Sequence, residues 1–410
     1  MRSVYFHWPT SMGAGYPKIL LRQLAEQAGM EVVDHPAKAE AVLVSLCDVS
    51  ELHHLVAARK FGRPVIAGGW ISYMPFLRHF ADLVCVGEGY NFMRELGRAR
   101  SLRDMEGLPY VSTPAKQGVI DEHIDWDVNP IARVGGNACY YYCGKGCPTK
   151  CKFCAMAYSR HVQYADFGYI ERAAEATPSN GHLFLMVSYL PYKLPQAIEQ
   201  RLGATDVRIK DYIRRPVKAR QVRAGVEFLS AQLRRDLAKP LTEDHIAEFF
   251  RVTKAQKTEA TLYFIGGLET VDDAEAFIGC LPVDMDLGPR VHLHFTYLDP
   301  QPLTPMADFD IRQKVAFDGV RFMALCHTRN RRVRVGTLRQ PGYSTWRTLQ
   351  QRAETAEEAA WAYSLRTCSD HERLVGLADQ HHPRLLGVSS LDDIRGRKRR
   401  IDESAFLEAS

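Results

Sequence analysis

The sequence predicts an α/β protein: a doubly wound parallel sheet at the N-terminus, a second run of strands and helices, then a helical, basic C-terminal region. Three observations predict it. Short apolar runs alternate with helical patterns over residues 1–105. After a turn-rich linker at 106–130, the alternation resumes at longer spacing over 131–318. From 319 to 410 helical patterns and arginines dominate.

Composition sets the bounds. The chain has 410 residues, 46% hydrophobic and 25% charged, which is enough for two or three domains with sizeable cores. No apolar run approaches the roughly 20 residues that span a bilayer, and Met1 to Gly13 lacks a signal-peptide layout. The expected address is the cytoplasm, with no membrane partner.

In the N-terminal domain, Val4 to Phe6, Glu31 to Val33, Ala41 to Leu46, Pro64 to Ala67 and Leu83 to Val86 read as strands. Tyr16 to Ala28 and Leu52 to Phe61 read as helices between them. Gly68-Gly69 and Gly87-Glu88-Gly89 close two strands where ligands of such sheets bind. His53 and His54 fall at a helix start and read as solvated surface. In the second run the strands are Asn137 to Tyr142, Leu183 to Val187, Val207 to Ile209, Gln221 to Val226, Thr261 to Ile265 and Val291 to Phe295. Ser230 to Leu237 and Glu243 to Ala255 are the plainest helices there.

Of ten cysteines, five fall between Cys139 and Cys154, too clustered for a disulfide scaffold and suited to metal or redox chemistry. Cys147, Cys151 and Cys154 are spaced by three and then two residues, with Phe153 before the last. Three thiolates on one short loop can hold three irons of a [4Fe-4S] cluster and leave the fourth open. A zinc site is the alternative reading, with Cys139, Cys143 or His161 as the fourth ligand. Cys139 and Cys143 are themselves either core residues or ligands of a second metal centre.

This loop resembles the signature of the radical S-adenosylmethionine (SAM) enzymes, in which SAM chelates the open iron and is reductively cleaved. The resemblance implies a partial (β/α)6 barrel over 131–318, with the cluster loop after its first strand. It also implies residue roles. Gly225-Val226-Glu227-Phe228-Leu229-Ser230 is similar to the stretch that contacts SAM, which implies Glu227 and Ser230 as ligands and Arg234 or Arg235 as partner of the methionine carboxylate. Gly266 stands in the element that flanks adenine, and Glu269 there reads as structural. Where the pattern has Gly-Gly-Glu, this chain has Val187-Ser188-Tyr189, with Ser188 as the replacement. The N-terminal domain resembles the cobalamin-binding-type domain of one branch, which implies cobalamin as a further cofactor. The Asp-x-His-x-x-Gly motif that supplies a cobalt ligand is absent, since His7 is preceded two residues earlier by Tyr5.

From Gly319 to Arg352 there is no Asp or Glu, while eight arginines fall inside, interleaved with Tyr343 and Trp346; a second basic run follows at Arg395 to Arg400. Arginines with aromatics suit phosphates and unstacked bases, so nucleic acid or another phosphate-bearing substrate is the expected partner beside an external one-electron reductant. The first functional expectation is therefore hydrogen abstraction that isomerises or otherwise modifies a nucleobase, with modified thymine in phage DNA as one such substrate. Cobalamin-dependent methyl transfer is the second, and a non-catalytic metal protein that binds nucleic acid the third.

Overall fold

The computed structural model describes residues 1–9, 16–127, 132–133, 137–187, 193–282, 290–331, 333–336, 341–396 and 406–407. The chain divides into two compact units, Met1–Gly136 with Leu349–Leu365 and Arg400–Ser410, and Asn137–Thr348 with Arg366–Arg399. Among the described residues no helix is long and apolar enough to cross a membrane.

The first unit contains β1 (Ser3–Phe6), α1 (Tyr16–Gln27), β2 (Glu31–Val32), β3 (Ala41–Ser45), α2 (His53–Arg59), β4 (Val65–Gly68), β5 (Leu83–Cys85), α3 (Tyr90–Arg98), α4 (Arg103–Glu106), β6 (Val111–Ser112), β7 (Ile120–Asp121) and β8 (Ala132–Arg133). Its main sheet runs β2-β1-β3-β4-β5-β6, parallel except for β6. Every residue of β3 is buried, as its continuous apolar run Ala41-Val42-Leu43-Val44 requires of a strand covered on both faces. The residues expected as a linker thus supply a strand: β6 pairs with β5.

Strand order reverses between β1 and β3, which run parallel, and the crevice at their carboxyl ends is the expected ligand position. Gly87 has φ +123°, and a Cβ there would lie 2.0 Å from the Asp121 carbonyl oxygen. Neither the conformation nor the space admits a side chain. Gly87→Ala is expected to destabilise the first unit by roughly 2–4 kcal/mol, read as a lowered urea midpoint. An unchanged midpoint would contradict this packing.

The second unit contains β9 (Ala138–Tyr142), β10 (Gly144–Lys145), β11 (Gln163–Tyr164), α5 (Phe167–Ala176), β12 (His182–Met186), α6 (Gln196–Glu199), β13 (Ala204–Asp206), α7 (Ile209–Arg214), β14 (Gln221–Glu227), α8 (Ala231–Asp236), α9 (Glu243–Gln256), β15 (Glu259–Gly266), α10 (Glu275–Cys280), β16 (Val291–Tyr297), α11 (Gly319–Arg329) and β17 (Val333–Val335). Strands β9 and β12 pair in parallel, and β13 to β17 form a parallel sheet in chain order. Five of the six expected strands are present, the third is replaced by β13, and β17 extends the sheet by one. The third lies earlier than its sequence suggested. Val207 and Ile209 favour strands, but Ile209 opens α7 and is buried there, while the weakly strand-forming Ala204-Thr205-Asp206 pairs with β14.

Alternation on these strands separates two faces. Val222, Ala224 and Val226 of β14 are buried, as are Leu262 and Phe264 of β15 and Leu293 and Phe295 of β16. Phe264 meets Phe277 of α10 and Phe295, and Phe295 meets Phe322 of α11, so this face is covered by helices. The other face carries Arg223, Gly225, Glu227, Tyr263 and His294, which are partly or fully exposed. Polar groups therefore lie on that face, with Arg223 paired to Asp206 at 3.0 Å.

The C-terminal elements are α12 (Pro341–Arg352), α13 (Ala356–Ser364), α14 (His371–His381), α15 (Leu391–Gly396) and β18 (Phe406–Leu407). They are divided between the units rather than forming one cap, and β18 pairs with β7. Several arginines expected to face phosphates are engaged inside the chain. Arg321 pairs with Asp272 at 2.6 Å, Arg347 with Asp299 at 2.9 Å and Arg395 with Asp236 at 2.9 Å, while Arg329 donates to the Leu281 carbonyl. Trp346 is 3% exposed and packs as core. Arg331 and Arg334 remain exposed; Arg332, Arg339 and 397–400 lie outside the described residues.

Candidate active site

The cysteine loop follows β9 and β10 and is fixed largely by its own backbone and lysines. Gly146 has φ +70°, and a Cβ there would strike the His161 carbonyl at 2.5 Å. The Lys152 amide donates to the Leu237 carbonyl at 3.0 Å, and the Cys154 amide to that of Cys151 at 3.2 Å. Lys152 Nζ donates to the carbonyls of Ile394 and Arg395 at 2.9 and 2.6 Å, closing the last turn of α15 over the loop. Lys150 Nζ and the Tyr158 hydroxyl tie the loop to the turn behind it, bonding the carbonyls of Ala157 and Lys150.

Cys151 is buried among Leu237, Phe228 and Leu298, and Cys154 packs against the same cluster. Cys147 is half-buried. Phe153 meets Phe228 edge to face, centroids 5.4 Å apart, so it joins the loop to the turn that carries Glu227. Burial pushes the Cys151 thiol up to about 12, against an opposing pull from Lys239, and the Cys154 thiol up to about 11. Without a cation these groups stay protonated, and it is a metal's charge that makes them thiolates. Among the described residues no three His, Cys, Asp or Glu side chains converge closely enough for one metal ion. Soft thiol donors on one short loop fit a [4Fe-4S] cluster.

Glu227 ends β14 at a β-bulge, with φ +76°. Its carboxylate folds back along the strand and accepts from Lys239 Nζ at 3.1 Å. A Cβ on Gly225 would lie 1.9 Å from that carboxylate, so only glycine leaves room for it. Burial works against charge on Lys239, but its pairing with Glu227 raises its pKa. Lys239 was not singled out from the sequence, because its approach to Glu227 depends on the bulge and on the turn after α8.

The neighbouring residues are placed as supports. Ser230 caps α8, its hydroxyl accepting from the Leu233 amide. The amides of Leu229 and Ser230 both donate to Glu269 at 2.6 Å, so Glu269 braces the Glu227 turn. Arg234, expected beside a SAM carboxylate, is instead fully buried, bonded to the carbonyls of Phe228, Leu229 and Leu241 and to Glu243. Arg235 is held by Gln232 on the outer side of α8. Gly266 ends β15, buried, its carbonyl accepting from the Leu298 amide. Ser188 lies outside the described residues. Cys139 and Cys143 are buried with Tyr141 on one face of the β9 segment, and the Cys143 thiol donates to the Tyr141 carbonyl at 3.4 Å.

Glu269 also carries a pH signature. Burial pushes its carboxyl up to about 7 from an ordinary 4.5, against the two amides that favour ionisation. Between those values the folded chain keeps a proton that the unfolded chain has released, so this contribution is present below about 4.5 and lost as pH rises through about 7. At most about 3 kcal/mol is at stake. Glu269→Gln is expected to flatten the fall of the urea midpoint between pH 5 and pH 8, and an unchanged slope would contradict it.

No family profile and no curated protein matches the sequence. Among solved structures the chain is similar to the radical SAM methyltransferase TsrM from Kitasatospora setae with cobalamin and a [4Fe-4S] cluster bound, at 13% identity and TM-score 0.56 over 92% of this chain and 99% of that one. TsrM with tryptophan substrate and the SAM analogue aza-SAM matches at 15% identity and TM-score 0.55 over 75% of each chain. The chain shares the fold of these structures. The cobalamin-dependent radical SAM enzyme OxsB with aqua-cobalamin is also similar, at 14% identity and TM-score 0.51 over 70% of this chain and 53% of that one. In radical SAM terms, β9 is the barrel's first strand, the cysteine loop follows it, and the Glu227–Lys239 pair stands at the end of the fourth.

Proposed function

We propose that the chain is a cobalamin-dependent radical SAM methyltransferase. The observation that carries this is likeness across both units to an enzyme of that kind, covering 92% of the chain. It favours the second expectation from the sequence over nucleobase isomerisation, whose main support was a basic region in which Arg321, Arg347 and Arg395 are paired with carboxylates of the chain.

In this reading Cys147, Cys151 and Cys154 hold a [4Fe-4S] cluster, and the β1/β3 crevice of the first unit holds cobalamin. When bound, the cluster supplies an electron for SAM cleavage, and the corrinoid supplies a methyl carrier. The protein's part is placement. Glu227 offers one carboxylate oxygen to ribose hydroxyls or the methionine ammonium while Lys239 holds the other side of the group. Phe153 and Phe228 keep loop and turn in register, and the apolar packing around Cys151 excludes water.

Gly225→Ala forces the Glu227 carboxylate from its position, so SAM affinity is expected to fall roughly tenfold to a hundredfold, the loss of a charge-assisted hydrogen bond. Equilibrium dialysis with labelled SAM measures it; an unchanged affinity would remove Glu227 from the SAM site. For the function as a whole, protein reconstituted without oxygen is given methyl-labelled SAM, cobalamin and dithionite. Label recovered on the bound corrinoid supports methyl transfer. SAM cleaved with no label on the corrinoid refutes it and restores hydrogen abstraction alone.

A further inference from the structure

The sequence left His7, His53 and His54 as unremarkable residues, yet the first unit gathers them at its topological switch point. His7 directly follows β1, and its amide donates to the Leu43 carbonyl of β3 at 2.9 Å. His53 and His54 open α2, the helix that follows β3. His54 Nδ1 and His7 Nε2 are 3.2 Å apart, hydrogen-bonded ring to ring. His53 lies against His54 with centroids 4.1 Å apart, and its Nδ1 is engaged by the Ser50 carbonyl. The His7 ring is set edge-on to Phe61 at 5.6 Å.

We propose that His54 Nε2 is an axial nitrogen ligand for the cobalt of a corrinoid bound in the β1/β3 crevice, with His7 as the residue that orients it. This rests on the cobalamin reading above and goes beyond it by naming the donor. A metal-bound imidazole needs one nitrogen bare and the other fixed by a partner that sets tautomer and ring angle. The His54–His7 bond is such a fixing contact. It occupies His54 Nδ1 and leaves the nitrogen at the ring tip, whereas the nitrogen left on His7 lies beside its own backbone. His7 is held in turn by the β1–β3 hydrogen bond and by Phe61, so the pair is anchored on the rigid side. The Asp-x-His-x-x-Gly motif is absent from the sequence. Here the donor comes from the helix after the third strand, and only the fold brings it beside His7.

The test uses the full chain labelled with ¹⁵N at histidine, loaded with natural-abundance cobalamin without oxygen and reduced to cobalt(II). An axial nitrogen splits the cobalt lines of the electron paramagnetic resonance spectrum, into three for ¹⁴N and two for ¹⁵N. Doublets in the labelled protein and triplets in the unlabelled protein are expected, with the splitting lost in His54→Gln and kept, with altered spacing, in His7→Gln. Cobalamin that co-elutes with the protein but gives the same lines with and without label overturns the ligand assignment and leaves the cobalamin reading standing. Cobalamin that fails to co-elute overturns both. The labelling comparison needs no variant, so a His54→Gln protein that does not fold leaves the test intact.

Discussion

Alanine at Cys151 is expected to abolish reductive SAM cleavage, a loss on the order of a thousandfold or more, in a protein that still folds. The separation of the two effects follows from the residue's place. Cys151 is 5% exposed and packed among Phe228, Leu237 and Leu298, so exchanging its sulfur for hydrogen removes one buried atom and costs about 1 kcal/mol. The chemistry loses more, because two remaining thiols cannot hold three irons. 5'-Deoxyadenosine formed under dithionite and iron per chain are measured together. A Cys151→Ala protein that still cleaves SAM would remove the loop from the mechanism.

Arg234→Met is expected to cost roughly 3–5 kcal/mol of stability, the largest effect of any single change away from the cysteines. The guanidinium is fully buried and bonds the carbonyls of Phe228, Leu229 and Leu241 and the carboxylate of Glu243, at 2.6 to 2.9 Å. Methionine fills the volume but leaves three carbonyls and a carboxylate without their donor. Lysine restores the charge without the planar fork, so Arg234→Lys is expected to recover only part of the loss. Guanidinium chloride midpoints decide it. A Met variant of ordinary stability with weakened SAM binding would return Arg234 to the role that sequence resemblance implied.

The residues that read correctly from sequence were those whose signal is local. Cysteine spacing fixes a loop within nine residues, and alternation within a strand marks β14, β15 and β16. The helix expected from Glu243 starts there, its first-turn amide bonded to the Thr242 side chain. The residues that read poorly depend on distant partners. Arg234 resembled a surface ligand because its burial is created by the turn at Leu241 and by Glu243. Val207 and Ile209 resembled a strand because propensity says nothing of where α7 packs. The arginine-rich stretch resembled a phosphate-binding face because Asp272 and Asp299, which neutralise Arg321 and Arg347, lie 49 and 48 residues away in sequence. His54 reads as surface until β1 brings His7 beside it.

Anaerobic purification with simultaneous assay of iron, sulfide, zinc and cobalamin tests the central claim most directly. A brown protein is expected, with about four irons and four sulfides per chain, lost on substitution of any of Cys147, Cys151 or Cys154, and about one cobalamin retained through gel filtration. A colourless protein carrying zinc on those cysteines, with no cobalamin retained, would contradict it.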